Sequence, residues 1–115
     1  MKEMKTILVL NMGMKSIRSM IFDMEGNKLA SSSLPIETSL TGETVTQLPT
    51  EWWEKACKVI RETVTEIGCS PIVYLTVTSS SSCLVCVDQQ GEALFPCMMV
   101  SDKRAQEESG IIKRA

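Results

Sequence analysis

Apolar and polar positions change rhythm several times along this chain, and each change marks an element. A compact run, Ile7, Leu8, Val9 and Leu10, stops at Asn11, which predicts a buried central strand over residues 6–10. After a short polar turn, Ile17, Ser19 and Ile21 alternate with Arg18, Met20 and Phe22, predicting a second strand that closes at Asp23. The stretch "DMEGNK", with Gly26 and Asn27, is a hairpin signal, and a third strand follows from Lys28 to Leu34, ending at Pro35. The chain therefore opens as a three-stranded antiparallel meander.

Residues 36–48 are rich in Thr, Ser and Glu and predict a surface loop. A helix follows. Pro49 suits a first turn, Glu51 and Glu54 put negative charge near its amide-rich end, and Gly68 stands where a C-terminal cap belongs. Trp52, Ala56, Val59, Ile60, Thr63, Val64 and Ile67 recur at three and four residues, the spacing of a stripe that packs on a sheet. Beyond it, "PIVYLTVT" predicts a strand interior to the sheet, residues 79–82 a serine turn, "CLVCVD" a further strand, "QQGE" a hairpin turn and "ALFPCMMV" an extended return. At "SDKRAQEES" a last helix is expected, capped by Ser101 or Asp102.

Composition narrows the class. With 115 residues, 43% apolar and 23% charged, the chain has the make-up of one small globular domain. A net charge of −2 without a basic stripe argues against nucleic acid as a partner, and no run is long enough to span a membrane. No secretory signal pattern opens the sequence, which leads us to expect a cytoplasmic protein. The five cysteines, an odd number, then read as reduced thiols rather than a disulfide framework. Cys83 and Cys86 spell C-x-x-C, a spacing used by metal half-sites and redox pairs. On a strand, however, residues three apart face opposite sides, and no histidine or second such pair completes a zinc site, so a structural role is expected.

Three stretches, in order, carry a resemblance. "NMGMKSIRSMIFD" resembles the first phosphate loop of the FGGY carbohydrate kinases, which runs Asp-x-Gly-Thr-x-Ser-x-Arg before an apolar strand and an Asp. "LPTEWWEKACKVIRETVTEIG" is similar to that family's Asp-Pro-Glu-x-Trp-Trp helix. "LTVTSSSSCLVCVDQQGEALFPCMMVSDKRAQEE" is similar to the segment that ends in Trp-x-Asp-x-Arg. The resemblance covers nearly the whole chain. It implies an α/β domain of the ribonuclease H-like, actin-like ATPase fold, with a mixed sheet: a meander, a helix, then further strands.

It also implies a function. Residues 1–115 would be the N-terminal lobe, and a fragment, of an ATP-dependent kinase that phosphorylates a sugar or polyol hydroxyl. Asn11, Gly13, Met14, Lys15, Ser16 and Arg18 would hold the nucleotide's phosphate, with Asn11 at the magnesium position. Ser80, Ser81, Ser82, Asp102 and Arg104 would lie on the sugar side. Phosphoryl transfer needs backbone amides, hydroxyls and cations around the phosphate, and this loop offers a glycine, a hydroxyl and two cationic side chains. A plain hairpin with two solvated charges is the alternative for the loop, and a plain polar turn is the alternative for the serines.

Departures from the family pattern sharpen the expectations. Asn11 replaces an aspartate and so removes a charged oxygen that magnesium favours. Met14 replaces a threonine, and Val100 stands where the tryptophan belongs. No catalytic residue is assigned here, because the resemblance places the general base in a C-terminal lobe beyond Ala115. A kinase-derived binding or assembly module without catalysis is therefore the competing expectation. A lesser one is an acetate-kinase-like phosphotransferase, whose first stretch carries Asn-x-Gly-Ser. A half-fold would also expose an apolar face, predicting self-association of this chain by itself.

Overall fold

The computed structural model describes residues 4–115. They form two compact units: one takes the chain as far as Ile36 together with Thr50–Ser80, and the other comprises Glu37–Pro49 with Ser81–Ala115.

The first unit is a four-stranded sheet covered by one helix. Strands β1 (Thr6–Met12), β2 (Ser16–Asp23) and β3 (Lys28–Pro35) form the expected meander. The chain then returns through α1 (Pro49–Ile67) to β6 (Ile72–Ser79), which lies parallel to β1, so the sheet order is β3-β2-β1-β6. Because side chains alternate along a strand, Leu8 and Leu10 of β1 face the same way as their partners Ile21 and Ser19 of β2. With Ile17, Ala30 and the helix residues Ala56 and Val59 they form the core, and Trp52, Ile60, Val64 and Ile67 pack around it. The predicted helical stripe is thus the contact surface of α1. Burying a single Leu, Ile or Val is worth about 1.5–3 kcal/mol, so these few side chains hold the unit together.

Two polar residues sit within that apolar layer. The Ser19 and Thr63 hydroxyls are 2.8 Å apart, and Thr63 Oγ1 also lies 3.0 Å from the Val59 carbonyl. Thr63 has one proton to give; when it goes to that carbonyl, Ser19 donates to Thr63, and both buried hydroxyls are satisfied. The pair ties α1 to β2 at a defined register.

The second unit carries a small antiparallel sheet, β4 (Ser39–Thr41), β5 (Thr44–Gln47) and β7 (Cys97–Met98), followed by α2 (Gln106–Arg114). Here the structure departs from expectation. Residues 36–48 are not a plain loop, because Gly42 takes φ 61° and turns the chain so that Thr44, Val45 and Thr46 pair across it. "CLVCVD" forms only single bridges, Leu84 with Met98 and Val87 with Ala93, rather than a continuous strand. Helix α2 begins without a side-chain cap after Ala105, since the Asp102 carboxylate bonds elsewhere. Strand β6 is β-branched as expected, yet among the described residues it ends the sheet, and all eight of its residues are exposed.

The same turn closes a hairpin in each unit. In "DMEGN" and in "DQQGE" the aspartate Oδ1 accepts the amides of the residues two and four positions on. The glycine takes φ 87° and 82° respectively, a left-handed conformation in which a Cβ is costly. In both, the glycine amide also bonds back to the aspartate carbonyl. Both turns are legible as Asp-x-x-Gly-x.

The core contact makes a direct prediction. Ile21 is fully buried beneath α1, so Ile21→Ala should lower unfolding free energy by about 2–5 kcal/mol in urea titrations. A loss well under 1 kcal/mol would show that the sheet and helix do not share one core.

Candidate functional site

The opening motif folds as a tight hairpin between β1 and β2. The Gly13 amide bonds the Ser16 carbonyl at 3.0 Å, and a Cβ on Gly13 would lie 3.0 Å from that same oxygen. A side chain at this position would have to push that hydrogen-bonded carbonyl back, so the closeness of the turn favours glycine. Two further bonds clamp the loop from outside: the Ile36 amide donates to the Lys15 carbonyl at 2.9 Å, and the Ser80 amide to the Met12 carbonyl at 3.1 Å. Met14 and Lys15 stand exposed at its tip.

Alternation then sorts the remaining candidates. Asn11 lies directly across from Arg18 in the β1–β2 pairing. Ser16 is two residues before Arg18, so Asn11, Ser16 and Arg18 share the sheet face opposite α1. On the other side of β1, Thr78 of β6 pairs with Asn11 and joins the same row. Sequence reading missed Thr78 because the parallel pairing of β6 with β1 leaves no local signal.

Of the sugar-side candidates, Ser80 belongs to this first unit, whereas Ser81, Ser82, Asp102 and Arg104 belong to the second. Ser82 adopts φ 63°, a region few residues other than glycine enter, so the serine run is a sharply bent segment. Asp102 and Arg104 form a two-pronged pair: Arg104 Nε donates to Oδ1 at 2.9 Å, and Nη2 to Oδ2 at 2.7 Å. The carboxylate also accepts the Arg104 amide at 3.1 Å and the Val45 amide at 2.8 Å. It is 4% exposed, whereas the Arg104 side chain is 42% exposed. Four donors converge on Asp102, which thereby stitches β5 to the segment before α2 and fixes the direction of the Arg104 guanidinium.

These bonds set the local acidity. The Arg104 guanidinium, ahead of the Val45 and Arg104 amides and against the effect of burial, holds the Asp102 carboxyl well below the usual carboxylate range. Arg104 is raised in turn, first by its bond to Asp102. In the first unit, the Asn27 side chain and amide lower Asp23. Among the described residues no group of three His, Cys, Asp or Glu could hold a metal ion, and no helix is long and apolar enough to cross a membrane.

Residues 6–115 match the N-terminal domain of the FGGY family of carbohydrate kinases. The chain belongs to that family. An autoinducer-2 kinase from Klebsiella pneumoniae is 31% identical over 117 residues, which cover 96% of this chain and 21% of the relative. The structure superimposes on xylulose kinase from Rhodospirillum rubrum with TM-score 0.88 at 24% identity, covering 95% of this chain and 23% of that one. It matches a glycerol kinase from Plasmodium falciparum solved with ADP at TM-score 0.85 and 17% identity, over 96% of this chain and 23% of that one. The fold is therefore that of the FGGY kinases, α/β and actin-like. The chain spans about a fifth of the curated relative's length.

Acid should weaken this FGGY domain through the lowered carboxylates. Both Asp23 and Asp102 start from an ordinary value of 3.8 and fall on folding. Their contribution is fully present above about pH 4 and is lost as pH drops through the folded values. Urea midpoints measured downward from about pH 5 should decline below about pH 4, and less steeply in Asp102→Asn. A midpoint that stays level to about pH 2 would contradict this account.

Proposed function

We propose that this chain is the N-terminal lobe of an ATP-dependent carbohydrate kinase that transfers the γ-phosphoryl group to a sugar or polyol hydroxyl. The observation that carries the reading is the row of Asn11, Ser16 and Arg18 on one sheet face beside a clamped Gly13 turn, within a chain that matches the family along almost its whole length. In this reading the Ser16 hydroxyl and the Lys15 and Arg18 cations hold phosphate oxygens, with Gly13 and Met14 shaping the turn. Ser80, Ser81, Ser82, Asp102 and Arg104 serve the sugar side, with Asp102 positioning the Arg104 fork.

Asn11 offers one neutral oxygen at the magnesium position and no carboxylate shares its cross-strand row. That donor set suits a magnesium ion whose shell is filled mainly by phosphate and water. When bound, ATP and magnesium supply the phosphoryl group and offset its developing charge. This lobe's own part is to orient and neutralise; the base that takes the hydroxyl proton belongs to a C-terminal lobe. A cytoplasmic location accords with the five free thiols.

A second reading has its own observation. Asn11, Met14 and Val100 each lack a group the family pattern uses, which favours a non-catalytic binding or assembly module derived from a kinase. An acetate-kinase-like transfer is weaker still, because that likeness ends with the first hairpin.

Activity of the full-length protein separates these readings. An ADP-release assay with a panel of sugars, polyols and autoinducer-2 should show turnover on at least one. In the active protein, Arg18→Ala should raise the KM for ATP about tenfold, the worth of one charged hydrogen bond. Asn11→Asp should lower the magnesium concentration for half-maximal rate severalfold. Absence of nucleotide binding at millimolar concentration would remove the kinase reading in favour of the module.

We also infer that the chain by itself self-associates, because β6 offers Val73, Tyr74, Leu75 and Val77 to solvent at the end of the sheet. Light scattering should report a dimer or larger; a monomer across a wide concentration range would refute this.

A further inference from the structure

Two cysteines of the second unit flank one backbone bridge although thirteen residues separate them in sequence. Leu84 and Met98 exchange both backbone hydrogen bonds, at 2.9 and 3.0 Å, forming one narrow antiparallel bridge. The residue before each partner is a cysteine, Cys83 and Cys97. Positions that flank such a bridge diagonally lie on the same face. Their Cα atoms are then about 7–8 Å apart, with the Cβ atoms nearer.

The two thiols differ in access. Cys97 is fully buried at 0% exposure, whereas Cys83 is half-buried. Each rests against a backbone carbonyl: Cys83 Sγ donates to Ser81 at 3.7 Å and Cys97 Sγ to Met98 at 3.6 Å. Burial first, and the neighbouring Cys83 thiol second, push the Cys97 thiol above its ordinary range. At neutral pH Cys97 is therefore a protonated thiol kept beside a more accessible one.

We propose that Cys83 and Cys97 form a reversible disulfide, a redox site within the segment that follows the serine run. A disulfide spans Cα separations of about 4.4–6.8 Å. The strands here are joined by a single bridge rather than a long ladder, so a small approach suffices. Cys83, the accessible thiol, attacks a low-molecular-weight disulfide RSSR as its thiolate and releases RS⁻, giving a mixed disulfide at Cys83. Cys97 then loses its proton to solvent and attacks the Cys83 sulfur, releasing the second RS⁻. In sum, two protein thiols and RSSR yield one protein disulfide and two RSH. The bond would lock residues 83–97 as a closed loop and fasten the chain just beyond Ser81 and Ser82 onto β7. Cys86, by contrast, does not flank this bridge, and its backbone carbonyl accepts the Leu94 amide at 2.9 Å.

The test oxidises the purified chain with glutathione disulfide, blocks remaining thiols and cleaves with trypsin and a glutamate-specific protease. Cleavage after Glu92 separates the two cysteines, so a bond between them appears as a linked peptide pair that reductant dissolves. We expect Cys83–Cys97 as the dominant pair, loss of two hydrogens in the intact mass, and faster closure at alkaline pH. The same pair should form in Cys86→Ser and be absent in Cys83→Ser, with the melting temperature of the oxidised wild type several degrees above that of the reduced chain. Dominant Cys83–Cys86 linkage, or Cys97 left unmodified until the chain is denatured, would overturn the proposal.

Discussion

The pairing register of β1 with β2 is the constraint on which the first unit depends. Leu8 sits across from Ile21, and Leu10 across from Ser19, so one face of the hairpin is apolar enough to receive α1. The period of two then obliges Asn11 and Arg18 to occupy the other face together. A slip of one residue would carry the core residues into solvent and the candidate phosphate ligands under the helix. Core and site are thus two sides of one register.

The Ser19–Thr63 pair shows how that register is held against sliding. Apolar contacts tolerate small shifts, whereas the buried Ser19 hydroxyl must find Thr63 or remain unsatisfied, at a cost of about 1–3 kcal/mol. The Gly13 turn performs a similar task at the hairpin's end, where carbonyl groups of Met12, Lys15 and Ser16 are all engaged by amides. A loop whose backbone is held this firmly presents its amides and Cα positions in one arrangement, which suits chemistry based on positioning. In the second unit Asp102 has the corresponding role, since it orients Arg104 while bonding β5.

Much of this was readable beforehand, for physical reasons that can be named. The meander, the α1 stripe and both Asp-x-x-Gly-x turns are local patterns, settled by residues within a few positions of each other. The family likeness, too, lay in short ordered motifs such as "NMGMKSIRSMIFD" and "TEWWEK". Reading failed where pairing is distant or composition misleads. The β4–β5 hairpin was hidden by polar threonines, and "CLVCVD" looked like a strand but finds backbone partners only at single points. Asp102 looked like a helix cap, yet the Val45 amide, 57 residues away in the chain, claims its carboxylate.

What the amino-acid order determined by itself is the set of elements and the class of chemistry they suit, because periodicity, turn residues and motif spacing act over short range. Only the tertiary structure decided that β6 lies parallel to β1 and so brings Thr78 beside Asn11, that Arg104 is aimed by Asp102, and that Cys83 and Cys97 flank one backbone bridge. Each of these depends on hydrogen bonds between segments far apart in sequence, and no local pattern encodes them.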